Sequence, residues 1–320
     1  MRTVGLKFFA GVLVIALFVQ WIRTTTTITF EAPNLYPEGI AYDSKRDLIY
    51  VSSISSGKVG AVDRKGNFKV ACDDPKLVST LGLKYNSKND RLYALNGDFG
   101  GSSKSKPETT NKLAQLFIIN PATSKVEDVI DLSTLVESPK HLANDLTIDK
   151  EGNVYITDSH ASVIYKVDKN KKASVFAKSP LFIADSGAFA LNGIAWHEGG
   201  YLLVPKTTEG SLFKVSLKDP TKIEKVKLPE AIEWVDGIAF INPEELVAVR
   251  NRFNKTVFLK SKDGWKSAEI VKEEKASLDG VMPTTASVYK NEVFVINSRL
   301  MELFQKKDNK TFTIDVFSTK

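Results

Sequence analysis

The chain has 320 residues, 42% of them hydrophobic and 10% aromatic, which is ample for a large core and argues against a disordered polypeptide. The formal net charge of +6 comes from lysines scattered between apolar runs, with no basic stripe interleaved with aromatics, so nucleic acid is not an expected partner. A lone cysteine, Cys72, excludes an intrachain disulfide, and three dispersed histidines do not make a zinc or iron centre.

The first element in chain order is apolar. Residues 8–22 are interrupted only by Gln20 and lie between Lys7 and Arg23. As a helix they would span about 22 Å, short of a bilayer core of roughly 30 Å unless the flanking charges snorkel or the bilayer thins. Residues 1–26 therefore read as an N-terminal hydrophobic helix, either a signal peptide or an uncleaved single-pass anchor. The lack of an Ala-x-Ala-like site before Thr24 favours the anchor. With Arg2 and Lys7 on the N-terminal side, residues 27–320 should be membrane-anchored or secreted and face the lumen or the exterior. Asn254 and Asn309 head Asn-x-Thr sequons that permit glycosylation.

Beyond Thr24 the sequence consists of short β-rich runs between turn residues. A phrase recurs: polar residue, Gly, apolar, small, aromatic or apolar. It reads Glu38-Gly39-Ile40-Ala41-Tyr42, Leu81-Gly82-Leu83-Lys84-Tyr85, Asn144-Asp145-Leu146-Thr147-Ile148, Asn192-Gly193-Ile194-Ala195-Trp196 and Asp236-Gly237-Ile238-Ala239-Phe240, with a degraded sixth copy from about Thr284. Spacings of 43, 63, 48, 44 and about 48 residues, with several strands per unit, predict an all-β fold: a six-bladed β-propeller with four-stranded blades over residues 27–320. Second strands follow each phrase, as at Leu48-Ile49-Tyr50-Val51 and Val154-Tyr155-Ile156-Thr157. Third and fourth follow as at Val163-Ile164-Tyr165-Lys166-Val167 and Ala173-Ser174-Val175-Phe176-Ala177. Either Ile28-Thr29-Phe30 or residues 312–317 would seal the last blade.

In a propeller the innermost strand of each blade starts beside the central tunnel. The first residues of the six phrases should therefore face one axis: Glu38, Leu81, Asn144, Asn192, Asp236 and a position near Thr284. Asn and Asp are also ordinary turn residues before strands. That accounts for any one of them, and poorly for four at one repeat position. Two carboxylates and two amides suit a hard cation with irregular oxygen coordination, which points to Ca2+ held by Glu38, Asn144, Asn192 and Asp236.

Pro37-Glu38-Gly39, Ala143-Asn144-Asp145, Leu191-Asn192-Gly193 and Val235-Asp236-Gly237 resemble the metal motifs of the regucalcin (senescence-marker-protein), gluconolactonase, diisopropylfluorophosphatase and paraoxonase group, whose propeller strictosidine synthases share. The resemblance covers residues from about 30 to 320. Stretches 144–167, 191–204 and 258–265 are similar to plant proteins classed as calcium-dependent phosphotriesterase-like. It implies that the four matching residues hold a catalytic calcium that polarises a lactone carbonyl or phosphoryl oxygen and orients a water. Leu142 stands where sugar lactonases carry an arginine two residues before the asparagine. His141 and His160 do not reproduce the paraoxonase histidine pair.

Loops between second and third strands should return to the site face. They include a long one at residues 97–112, read as a mobile flap, and one at 298–300. His160, Lys206, Arg250 and Arg299 would rim the opening and bind an anionic substrate, and the apolar insertion at 181–189 would wall it. Asp236 is the leading candidate for the catalytic base, with Asp145 second; strand alternation points Asp145 away from Asn144. The leading function is calcium-dependent hydrolysis of a lactone, ester or phosphotriester, on a small hydrophobic or anionic substrate. A non-catalytic calcium-stabilised scaffold and a strictosidine-synthase-like condensing enzyme are the alternatives.

Overall fold

The computed structural model describes residues 25–184 and 189–319. The apolar segment at residues 8–22 lies outside the described residues. Among those described, no helix is long and apolar enough to cross a membrane.

The first strand, β1 (Thr25–Glu31), is reserved for the last blade. Blade 1 is β2 (Ile40–Asp43), β3 (Leu48–Val51), β4 (Val59–Val62) and β5 (Phe68–Cys72). Blade 2 is β6 (Ser79–Asn86), β7 (Arg91–Gly97), β8 (Gln115–Asn120) and β9 (Lys125–Asp131). Blade 3 is β10 (Ala143–Ile148), β11 (Val154–Asp158), β12 (Val163–Val167) and β13 (Ala173–Lys178). Blade 4 is β14 (Ala195–His197), β15 (Tyr201–Lys206), β16 (Ser211–Ser216) and β17 (Ile223–Lys225). Blade 5 is β18 (Val235–Asn242), β19 (Glu245–Arg250), β20 (Lys255–Lys260) and β21 (Glu269–Lys275). Blade 6 is β22 (Pro283–Tyr289), β23 (Glu292–Asn297) and β24 (Thr311–Ser318), with β1 outermost. The propeller is therefore six-bladed and four-stranded throughout, as the repeat predicts.

Burial along the strands follows their place in the blade. The second strand β11 is buried at every position, because both its faces meet neighbouring blades. The outermost β9 and β21 alternate exposed and half-buried, with one face in water. Each seam between blades has its own apolar cluster. Leu95, Leu116, Ile156 and Tyr165 fill the seam of blades 2 and 3, and Leu203, Leu246, Val257 and Trp265 that of blades 4 and 5. Six such clusters close the ring.

Both candidate closing segments take part in blade 6. β24 is its third strand, and β1 pairs antiparallel along it from Thr25↔Phe317 to Glu31↔Thr311. Phe30 anchors this closure, stacked at 6.0 Å on Phe68 of blade 1 and 6.1 Å from Phe312. Burying that ring stabilises the closed ring by roughly 2–3 kcal/mol.

The long blade-2 loop is wound around one buried carboxylate. Asp98 accepts from Gly100 N (2.8 Å), Ser105 Oγ (2.5 Å), Thr109 Oγ1 (2.7 Å) and Thr110 Oγ1 (3.2 Å). The expectation of a loose flap is corrected accordingly. The connection between β23 and β24 is also longer than the expected three residues, since it runs from 298 to 310 and carries a short helix, α1 (Leu300–Phe304). At the sequons, Asn254 Nδ2 donates to Leu278 O (2.8 Å) and Asn309 Nδ2 is buried.

Candidate functional site

The axis is crowded, and this dictates where glycine is needed. A Cβ on Gly39 would lie 2.1 Å from Leu81 O of the next blade, one on Gly193 2.5 Å from Asp236 O, and one on Gly237 1.8 Å from Thr285 Oγ1. The second position of the phrase is thus glycine wherever the neighbouring innermost strand passes at contact distance. Blades 3 and 6 differ, with Asp145 and Thr285 at that position.

The innermost strands are also irregular at this level. Pairing shifts register between Thr80 and Leu83, between Ala143 and Leu146, between Val235 and Ile238, and between Pro283 and Ala286. In blades 1 and 4 the innermost strand starts only at Ile40 and Ala195, after Glu38 and Asn192. Every first position of the phrase therefore sits in a bulge or just before its strand, free of the alternation that a regular ladder imposes. Asn144 and Asp145 both lie inside a bulge rather than a regular ladder, yet Asp145 turns away from the cavity that Asn144 lines, as expected.

Glu38, Asn144, Asn192 and Asp236 line one cavity of about 250 Å³ at this mouth. The four residues are 4% to 7% exposed. Their supports come from neighbouring turns and second strands. Ser52 Oγ accepts from Glu38 N (3.0 Å) and Gly39 N (2.7 Å), and Thr284 Oγ1 donates to Glu38 O (2.7 Å). Thr157 of β11 accepts from Asp145 N (3.3 Å) and donates to Asn192 O, tying two of the phrases together. Asp158, at the end of β11, accepts from Leu142 N (2.9 Å), His160 N (3.0 Å) and Ala161 N (2.9 Å), and pairs with His141 Nδ1 (3.0 Å). That network fixes the strand entrance just before Asn144.

Glu38 Oε2, Asn144 Oδ1 and Asn192 Oδ1 are buried without any hydrogen-bond partner. An unmet buried acceptor costs about 1–3 kcal/mol, so three around one cavity call for a shared partner that is electron-poor. Burial, reinforced by the charges of Asp236 and Asp145, holds the Glu38 carboxyl well above the usual range. Burial likewise pushes Asp236 up to about 7; hydrogen bonds from Asn251 and Asn192 oppose this, and Asp145 adds to it. The centre is amide-rich. Among the described residues no three of His, Cys, Asp or Glu converge to hold a metal, so an ion here depends on asparagine oxygens as much as on carboxylates.

A profile described as the SMP-30/gluconolactonase/LRE-like region matches residues 36–245, from just before Glu38 to beyond Asp236. The chain belongs to the SMP-30/gluconolactonase/LRE-like family. No curated protein matches its sequence. Solved structures share the fold at low identity. The major Malassezia sympodialis allergen Mala s 1 has a TM-score of 0.74 at 16% identity, over 92% of this chain and 96% of its own. A gluconolactonase from Xanthomonas campestris has 0.63 at 13%, over 92% and 89%. A luciferin-regenerating enzyme has 0.61 at 9%, over 92% and 98%.

In this family member, the remaining sequence candidates fall outside the cavity lining. Asp145 lies beneath it, with Oδ1 accepting from Leu146 N (2.8 Å) and Oδ2 from Ile194 N (3.4 Å); burial raises its carboxyl to about 6, against the pull of Lys84. His160 stacks behind Phe189 at 5.3 Å, and Phe189 is the side chain that reaches the cavity. Lys206 is buried in an ion pair with Glu209 (2.5 Å). Arg250 donates to Glu233 O (2.9 Å) and reaches Glu273 (3.6 Å), while Arg299 is bound to Glu302 (2.9 and 2.5 Å). Each cation is held by a local partner, which is why charge alone misplaces them.

Three lining residues escape the sequence reading. Asn251 Nδ2 donates to Asp236 Oδ2 (2.7 Å), leaving its own Oδ1 buried and unpartnered. Arg252 lines the cavity with its guanidinium 3.7 Å over the Trp234 ring, and Thr207 brings a buried hydroxyl without a partner. All three lie on loops between second and third strands, the loops assigned to this face, and the first two directly follow Arg250. The signal was position rather than residue type.

Proposed function

We propose that the protein is a calcium-dependent hydrolase of lactone, ester or phosphotriester bonds, working on a small molecule at the tunnel mouth. The observation that carries this reading is the set of three buried, unpartnered oxygens, on Glu38, Asn144 and Asn192, around one cavity with Asp236. An all-oxygen donor set with two carboxylates fits calcium, and the residues that would hold it are these four. When bound, the ion would polarise the carbonyl or phosphoryl oxygen of the substrate. The chain's own groups supply the rest. Asn251 and Asn192 orient the Asp236 carboxylate, which is placed to take a proton from water and return it to the leaving oxygen. Water adds to the carbonyl carbon or phosphorus, the bond to the alkoxy or aryloxy group breaks, and that oxygen leaves protonated. Asp145, beneath the lining, acts on the site through its charge rather than by touching substrate.

Membership of the SMP-30/gluconolactonase/LRE-like family supports a lactonase-type reaction. Residues 8–22 support a membrane-anchored or secreted location, and stretches 144–167, 191–204 and 258–265 support kinship with plant-type phosphotriesterase-like proteins. The test is a panel of lactones, aryl esters and phosphotriesters assayed with calcium, with chelator, and with Asn192→Ala. Turnover lost in both controls is the expected result. Chelator-insensitive turnover would remove the metal from the mechanism, and no turnover on any substrate would favour a calcium-stabilised scaffold.

A further inference from the structure

We infer that the substrate of this site is an amphipathic acid, with an apolar body and one anionic group that pairs with Arg252. The inference rests on the hydrolase reading and deepens it. The cavity has two unlike sides. Blades 1, 2 and 6 give it an apolar wall of Ile54, Leu81, Phe99, Leu300, Met301 and Phe304, with Phe99 and Phe304 ring centroids 6.1 Å apart. Leu142, from blade 3, extends that wall. A sugar ring, with a hydroxyl on nearly every carbon, would leave those hydroxyls unmet against such a surface.

The other side, from blades 4 and 5, carries polar groups beside the rings of Phe189 and Trp234. Trp234 N donates to Thr207 O (2.6 Å), which sets Thr207 beside Trp234, and Arg252 lies over the same indole. Thr207 Oγ1 is buried, lines the cavity and has no partner, so it awaits a polar atom of the ligand. Arg252 is the cation among the described lining residues, and no described carboxylate pairs with it. Stacking over the indole through its π-face leaves the N–H edge of the guanidinium open for a bidentate contact with a carboxylate. Among the lining carboxylates, Glu38 and Asp236 would be taken up by one divalent ion, which leaves the Arg252 guanidinium free for an anionic group of the ligand.

Matched pairs of aryl esters, identical except for a distal carboxylate or a methyl group in its place, test the turnover side. Wild type should prefer the carboxylate member in kcat/KM by about fivefold or more, and Arg252→Gln should abolish that ratio. Binding is tested separately by calorimetry on the calcium-loaded protein with 4-phenylbutanoate and 4-phenylbutan-1-ol. The acid should bind more tightly to wild type, and Arg252→Gln should remove the difference. Arg252 is solvent-exposed, so the variant should fold, with an unchanged melting temperature as the check. Equal binding of acid and alcohol to wild type overturns the inference. So does an acid preference kept in Arg252→Gln and lost in Asn192→Ala, which would place the carboxylate on the metal instead. If no ester is turned over while the acid still depends on Arg252 in calorimetry, the hydrolase reading fails and the ligand class stands.

Discussion

Removing calcium should make the protein less stable as pH rises, the reverse of the usual acid lability. Glu38, Asp236 and Asp145 are buried together, and burial is the main cause of each raised pKa. A carboxyl whose pKa is higher in the folded state binds its proton more tightly there. Its contribution is whole below the unfolded value near 4 and disappears as pH climbs through the folded value. For Asp145 the rise from 3.8 to about 6 corresponds to roughly 3 kcal/mol lost by pH 8. Glu38 and Asp236 titrate as an interacting pair, so their shares are not assigned singly, but both act with the same sign. Metal-free protein should therefore lose at least about 3 kcal/mol between pH 4 and pH 8.

Other groups act elsewhere or weakly. Asp47, Asp90 and Asp158 have lowered pKa values, so the stability they lend is lost only as pH falls below about 4. His160, lowered by burial, opposes the trend just below its ordinary 6.5. The assay is urea unfolding at fixed pH values in chelator, repeated with saturating calcium. The ion should flatten the decline, and calorimetry at pH 6 should detect protons released as it binds. A metal-free stability that stays level or rises from pH 4 to pH 8 would refute the reasoning, as would an identical decline in a Glu38→Gln, Asp236→Asn double variant.

Three substitutions probe the supports of the site. Gly237→Ala places a Cβ 2.6 Å from Thr285 Cα and should cost about 3 kcal/mol or more, read as a lowered urea midpoint. Asn251→Ala strips Asp236 of its 2.7 Å donor and should weaken calcium binding about 10- to 100-fold in calorimetry, while the global unfolding midpoint moves little. Asp98→Ala leaves four donors without their acceptor and should make residues 99–112 the first site cut in limited proteolysis.

The parts legible in the sequence are those the ring repeats. A phrase that recurs every 43 to 63 residues encodes an innermost strand each time, and glycine in it records a neighbour at contact distance, as at Gly39 and Gly193. The four oxygen-bearing residues stand out because one repeat position faces one axis in every blade. Features set by long-range register left no local trace. The two segments that close blade 6 were each legible as strands, but nothing local says that they pair with each other, from Thr25 with Phe317 to Glu31 with Thr311. The bulge at Asn144-Asp145 was masked by assuming an unbroken ladder, and helix α1 by reading residues 298–300 as the whole connection.

The rim shows most clearly what residue type withholds. Arg250 and Arg252 are both arginines near the end of one strand. Arg250 is still in β19, in register with Val235 and Lys255, and that register commits its guanidinium to Glu233 O and Glu273. Arg252 lies two residues on, in the turn, where the ladder no longer sets its direction and the Trp234 ring offers a flat support. In blade 5 the charge on the strand is answered by its neighbours, whereas the charge on the turn beyond remains open to whatever enters the cavity. In blade 6 Arg299, two residues past β23, is instead taken by Glu302. Thr207, Asn251 and Arg252 all lie one or two positions past the end of a second strand, so position beyond the strand, together with a polar group lacking a local partner, brings them to the cavity.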